Sequence, residues 1–115
     1  MSQVFLTNLT LYTGSDFAQT FVLEDTSTNS IMDLTGYTAK SQLRRYESSV
    51  KAAEFTITFA NDPRTGRLSI EMPSTITSTL NPGKYYYDLV LKNPSNIVSR
   101  ALEGHILVKK AVTRL

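Results

Sequence analysis

Leu80-Asn81-Pro82-Gly83-Lys84-Tyr85-Tyr86-Tyr87-Asp88-Leu89-Val90-Leu91 decides the reading of this chain. A Pro-Gly turn opens directly into the most strand-like segment of the sequence. Successive side chains of a strand point to opposite faces, so Tyr85, Tyr87, Leu89 and Leu91 share one face, and Tyr86, Asp88 and Val90 share the other. The first set belongs in a core and the second faces outward, which makes this stretch a central strand.

On its C-terminal side, Lys92 to Asn96 reads as a tight turn. Ile97 to Lys109 then forms a long last strand, partly apolar on both sides, as expected of a central strand or one covered by another subunit. On the N-terminal side, Pro73 to Leu80 breaks the alternation. Ser74 is placed to cap one helical turn, on which Ile76 and Leu80 share a face. The spacing Leu80-x-Pro-Gly-x-Tyr85 resembles the tyrosine corner of β-sandwiches, in which a tyrosine hydroxyl ties back to nearby backbone.

Further out, strands are expected over residues 4–12, with an irregularity near Asn8, over 17–23, over 37–46, over 53–59 and over 67–72. Their inward residues include Phe17, Phe21, Leu23, Leu43, Phe55, Leu68, Ile70 and Met72. Asn61 to Gly66 carries turn chemistry and joins the last two into a hairpin. Glu24 to Ser30 and Glu47 to Lys51 are polar connections. Gly36 and Gly83 provide backbone freedom at strand starts. Some seven short strands with one helical turn near 74–80 define an all-β fold, an antiparallel β-sandwich, in a single domain spanning 1–115.

Composition narrows the function. The 115 residues are 41% hydrophobic, enough for one core. Twelve Lys and Arg against ten Asp and Glu give a net charge of +2, and the cations are not gathered as a nucleic-acid surface requires. There is no cysteine for a disulfide, a thiolate metal site or a Cys nucleophile. No apolar run approaches the roughly 18 residues of a membrane span, and Met1-Ser-Gln-Val lacks the features of a signal peptide. A soluble, cytoplasmically made product is expected, without a membrane partner.

The search for chemistry yields no catalytic residue, no metal ligand set and no cofactor site. His105 sits alone in the last strand, and Asp16, Glu24, Asp25, Asp33 and Asp62 all lie in or beside turns, where carboxylates serve as hydrogen-bond acceptors. No glycine-rich phosphate loop appears. Asp88 faces outward and needs a partner, for which Arg44, outward on its own strand, is the candidate in a cross-strand ion pair. Gly36, Arg44, Gly83, Tyr85, Tyr87 and Asp88 are thus read as structural residues.

A set of short motifs runs in order from about Leu11 to Arg114. Gly14-Ser-Asp16 leads into an apolar strand, and Asp33-Leu-Thr-Gly36 precedes a strand containing Gln42-Leu-Arg44. Thr65-Gly66 turns into Leu68-x-Ile70. Leu80-x-x-Gly83-x-Tyr85-x-Tyr87-Asp88 follows, then Gly104-x-x-x-Val108 and Val112-Thr-Arg114. In this order the chain resembles a family of small structural proteins of tailed bacteriophages, found in tail, baseplate or neck modules. That resemblance implies an immunoglobulin-like sandwich and a non-enzymatic building block of the virion, made in the host bacterial cytoplasm. It also implies partners among other virion proteins, in multiple copies within a symmetric assembly.

Candidate contacts are Glu24 and Asp25 in the first polar loop, Glu47 in the second, outward Tyr86, and the basic terminal segment with Lys109, Lys110 and Arg114. The alternative is a carbohydrate- or receptor-binding adhesion domain using exposed tyrosines such as Tyr12, Tyr46 and Tyr86. A concave cluster of those rings would favour it, and a surface without one would favour the structural role.

Overall fold

The computed structural model describes residues 5–25, 30–46 and 51–113. Its strands are β1 (Phe5–Leu6), β2 (Leu9–Tyr12), β3 (Phe17–Val22), β4 (Glu24–Asp25), β5 (Ser30–Ile31), β6 (Thr38–Arg44), β7 (Lys51–Phe59), β8 (Arg67–Met72), β9 (Gly83–Lys92) and β10 (Val98–Lys109). A 3-10 turn at Pro63–Thr65 and the single helical turn α1 (Ser74–Thr77) complete the elements among the described residues.

The fold is all-β and sandwich-like. Its strand order is β1-β10-β9-β6-β7-β8-β3, with β2 following β1 along β10. β7 belongs to two ladders. As far as Phe55 it pairs with β6, and from Thr56 onward with β8. The strand therefore passes from a front layer of β1, β2, β10, β9 and β6 to a back layer of β8 and β3. Such a sheet switch closes a core between two faces. Phe17 of the back layer meets Phe55 at 5.7 Å between ring centroids, and Phe55 meets Tyr87 of the front layer at 6.5 Å.

The ladders are not all antiparallel, as the alternation pattern had suggested. β1 and β2 run parallel to β10, because the chain enters along the far edge of the last strand and shares its direction. The register is unbroken across the gap between them: Leu6 faces Glu103 and Leu9 faces Ile106. The expected irregularity falls at Thr7-Asn8, where Asn8 Oδ1 instead of a backbone carbonyl accepts from His105 N at 3.0 Å.

β9 occupies the central place expected of it, between β10 and β6. Tyr85, Tyr87, Leu89 and Leu91 are buried in the main core with Leu43, Phe55, Leu68, Ile70 and Met72. Burying each large aliphatic side chain contributes about 1.5–3 kcal/mol, so alternation over this strand alone secures much of the fold. The long last strand is central as well, and a bulge at Ala101 turns both Ala101 and Leu102 into the core.

The tyrosine corner is present: Tyr85 Oη donates to the Asn81 carbonyl, four residues upstream, at 2.8 Å. The helical turn forms where expected but is held differently. Pro73, not Ser74, is in the cap position without a side-chain bond, and Asp16 Oδ1 accepts from Ser74 N at 2.7 Å. Ile76 is 40% exposed, so it does not share the buried face of Leu80. Thr77 is the buried residue instead, donating to Ser15 O and accepting from Gly14 N. A single turn is too short to build an apolar stripe, and a threonine that satisfies the adjoining loop takes the inner position.

The Glu24 to Ser30 connection carries a small second sheet, with Glu24 opposite Ile31 and Asp25 opposite Ser30. The sequence reading made it a loop; its polar residues pair through backbone groups, which composition does not register.

Candidate docking surface

The outward positions of β10, β9 and β6 line up in rows across the front layer. Register puts Arg100 beside Val90 and Val90 beside Lys40. In the next row Glu103, Asp88, Gln42 and Glu54 are neighbours across four strands. His105, Tyr86 and Arg44 form a third. The result is a shallow groove of about 670 Å³ lined by these side chains other than Glu54, together with Leu6.

Its electrostatics alternate by row. Asp88 Oδ2 accepts from Arg100 Nε at 3.0 Å. Glu103 faces the same Asp88 directly across the ladder, a like-charge pairing that destabilises an isolated sheet. Gln42 links two groups, receiving Arg44 Nη2 at 2.9 Å and donating to Glu54 Oε1 at 3.2 Å. Lys51 closes the chain of contacts at 3.1 Å from Glu54. Those bonds, the Lys51 one foremost and then Gln42, hold the Glu54 carboxyl below its ordinary range.

The aromatic part of the groove is a pair. Tyr86 and His105 meet edge to face, 5.0 Å between centroids at 80°, and Lys84 Nζ lies 5.6 Å from the Tyr86 ring.

Asp88 therefore takes Arg100, not Arg44, as its ion partner. Arg44 lies opposite Tyr86, two ladder pairs from Asp88, and Gln42 is the residue of β6 that faces Asp88. Alternation fixed the face of both residues correctly but could not fix their register.

The other expected positions are scattered. Glu24 and Asp25 sit in the small sheet and do not line the groove. Lys109 ends β10 opposite Tyr12, and Lys110 follows it, exposed. Glu47 and Arg114 lie outside the described residues. Of the tyrosines at positions 12, 46 and 86, only Tyr86 lines the groove, so this groove does not gather the three rings.

Among the residues read as structural, Gly36 and Gly83 are closely approached by other parts of the chain. A Cβ on Gly36 would lie 2.8 Å from Pro94 Cγ, and one on Gly83 would lie 2.1 Å from the Arg45 guanidinium. Both have positive φ, +77° and +143°. Tyr87 is the least expected of the set: its hydroxyl donates at 2.8 Å to the Thr7 carbonyl. Burial pushes its phenol up to about 12.

Sequence reasoning missed Lys40, Arg100 and Glu103. Their outward phase was available from alternation on neighbouring strands, but gathering them in one groove requires the strand order.

Among the described residues, no group of three or more His, Asp or Glu is gathered for a metal ion. Among the described residues no helix is long and apolar enough to cross a membrane. The arrangement offers directional donors, acceptors and an aromatic pair on a rigid sheet, the equipment of a recognition surface. No protein-family model and no curated protein matches the chain.

Proposed function

We propose that this chain is a non-enzymatic structural component of a bacteriophage virion, a tail or baseplate protein first and a neck protein second. It docks onto neighbouring virion proteins through the outer face of β10, β9 and β6. The ordered motifs from Leu11 to Arg114 support the virion assignment.

The observation that carries the docking face is the groove itself. Charged and aromatic side chains from three adjacent strands converge there, with Glu103 set against Asp88. A facing Arg or Lys of a neighbour would relieve that repulsion at a site already fixed by ladder hydrogen bonds. In a symmetric particle, many copies would add such weak contacts through multivalency.

The test is quantitative protein mass spectrometry of gradient-purified particles from the phage or prophage that encodes the chain. Several copies per particle are expected. Complete absence from intact, infectious particles overturns the proposal.

A further inference from the structure

β3 has an open edge. Among the described residues it pairs with β8 alone. Its sequence, Phe17-Ala-Gln-Thr-Phe-Val22, contains no charge, proline or glycine. Natural sheets normally guard an edge with such residues, because unpaired N–H and C=O groups recruit another strand. The opposite edge of the fold is interrupted at Thr7-Asn8, where a side chain replaces a ladder carbonyl. β3 has no such interruption over Phe17–Val22.

The exposed backbone groups can be named. Leu23 N donates to Gly66 O at 2.8 Å, continuing the register in which Phe21, Gln19 and Phe17 face Leu68, Ile70 and Met72. In an antiparallel ladder alternate residues turn both backbone groups to one neighbour. Phe17, Gln19 and Phe21 therefore face β8 with theirs, and Ala18, Thr20 and Val22 present theirs to the open side.

We propose that this edge pairs with β3 of a second copy of the chain, antiparallel about a two-fold axis at Gln19. Self-complementarity selects that occupant. An uncharged strand meets itself without like charges in opposition, and an isologous contact closes after two copies. Matching of faces restricts the register, since a one-residue slip would set inward against outward side chains. With the axis at Gln19, Ala18 and Thr20 exchange backbone hydrogen bonds with Thr20 and Ala18 of the second copy. Half-buried Phe17 and Phe21 are set against Phe21 and Phe17 of that copy, a stabilising cross-strand aromatic arrangement.

Two variants and the parent chain test this by sedimentation over a range of concentrations. The parent should dimerise. Thr20→Pro removes an edge donor at a position where proline is tolerated, because that N–H makes no ladder bond to β8; dimer affinity should fall about tenfold or more. Gln19→Cys introduces the only cysteine, and directly opposed residues of a non-hydrogen-bonded pair have Cα atoms about 4.5 Å apart, within disulfide range.

Oxidised glutathione should therefore convert Gln19→Cys to a covalent dimer by accepting the two thiol electrons. Thr79→Cys, at an exposed position away from this edge, should not cross-link. Circular dichroism establishes that each variant is folded. A parent that stays monomeric at high concentration overturns the proposal. So does a dimer that survives Thr20→Pro and fails to cross-link through Gln19→Cys, which would locate the contact elsewhere.

Discussion

The Tyr87 hydroxyl and the Thr7 carbonyl, 80 residues apart in sequence, are joined by a 2.8 Å hydrogen bond that ties the link between β1 and β2 to the central strand β9. Gly104, opposite Tyr87 in the ladder, lies along the path of the contact. Thr7 O stands 2.0 Å from where a Cβ on Gly104 would be, so the carbonyl occupies the space that the missing side chain leaves. Glycine on β10 thus allows the ladder to release one carbonyl to a tyrosine on β9.

Removing only that hydroxyl should be costly. Tyr87→Phe leaves the ring packed on Phe55 but deprives the Thr7 carbonyl of its donor. The expected loss is about 1–3 kcal/mol in urea unfolding. Wild-type stability in the variant would refute the role given to this bond.

The same residue sets an alkaline limit. Its phenol is pushed from 10.0 to about 12 by burial, so the unfolded chain releases this proton first. Tyr87 thus contributes no pH dependence below about pH 10. Stability falls as pH rises from about 10 to about 12, where the folded phenol ionises too and the loss levels off. Denaturation curves across that window should show the decline in the parent and less of it in Tyr87→Phe.

Gly104→Ala should act on the β1–β2 junction and on β2 before the rest. The added methyl meets the Thr7 backbone, and a clash of that kind costs about 1–3 kcal/mol. Amide exchange should accelerate most at Leu9–Tyr12, the segment that depends on this crossing for its place beside β10.

Tyr85→Phe isolates the tyrosine corner. It removes the bond to Asn81 O without opening a cavity, so a loss of about 0.5–1.5 kcal/mol is expected in the same unfolding assay.

Outer-face substitutions should separate stability from docking. The Arg100–Asp88 pair is half exposed, and Arg100→Ala should change stability by less than about 1 kcal/mol. Arg44→Glu combined with Tyr86→Ala should leave the domain folded yet keep it out of particles when it is the sole copy expressed. Normal incorporation would remove this face from the account.

Much of the fold was legible because period-two alternation is a local signal. It placed Tyr85, Tyr87, Leu89 and Leu91 inside and located the hairpin around Asn61 to Gly66. What escaped depends on partners distant in sequence. The switch of β7 between layers leaves no mark, since Ala53, Phe55 and Ile57 keep one phase across it. The parallel course of β2 along β10 and the choice of Arg100 over Arg44 for Asp88 are both matters of register. Thr77 displaced Ile76 from the interior because a buried hydroxyl met the needs of Gly14 and Ser15, a polar demand that an apolar pattern does not record. Of the candidate site, Arg44, Tyr86, Tyr87, Asp88 and His105 stand out in the sequence, but their gathering with Lys40, Arg100 and Glu103 is visible only once β10 lies beside β9.

The most direct test is a density map of the assembled particle in which this chain can be traced. The account predicts that the groove bearing Arg44, Tyr86, Asp88 and Arg100 is covered by a neighbouring virion protein, with a basic side chain near Glu103. A traced chain whose front layer faces solvent throughout, held in the particle by other surfaces, would contradict it.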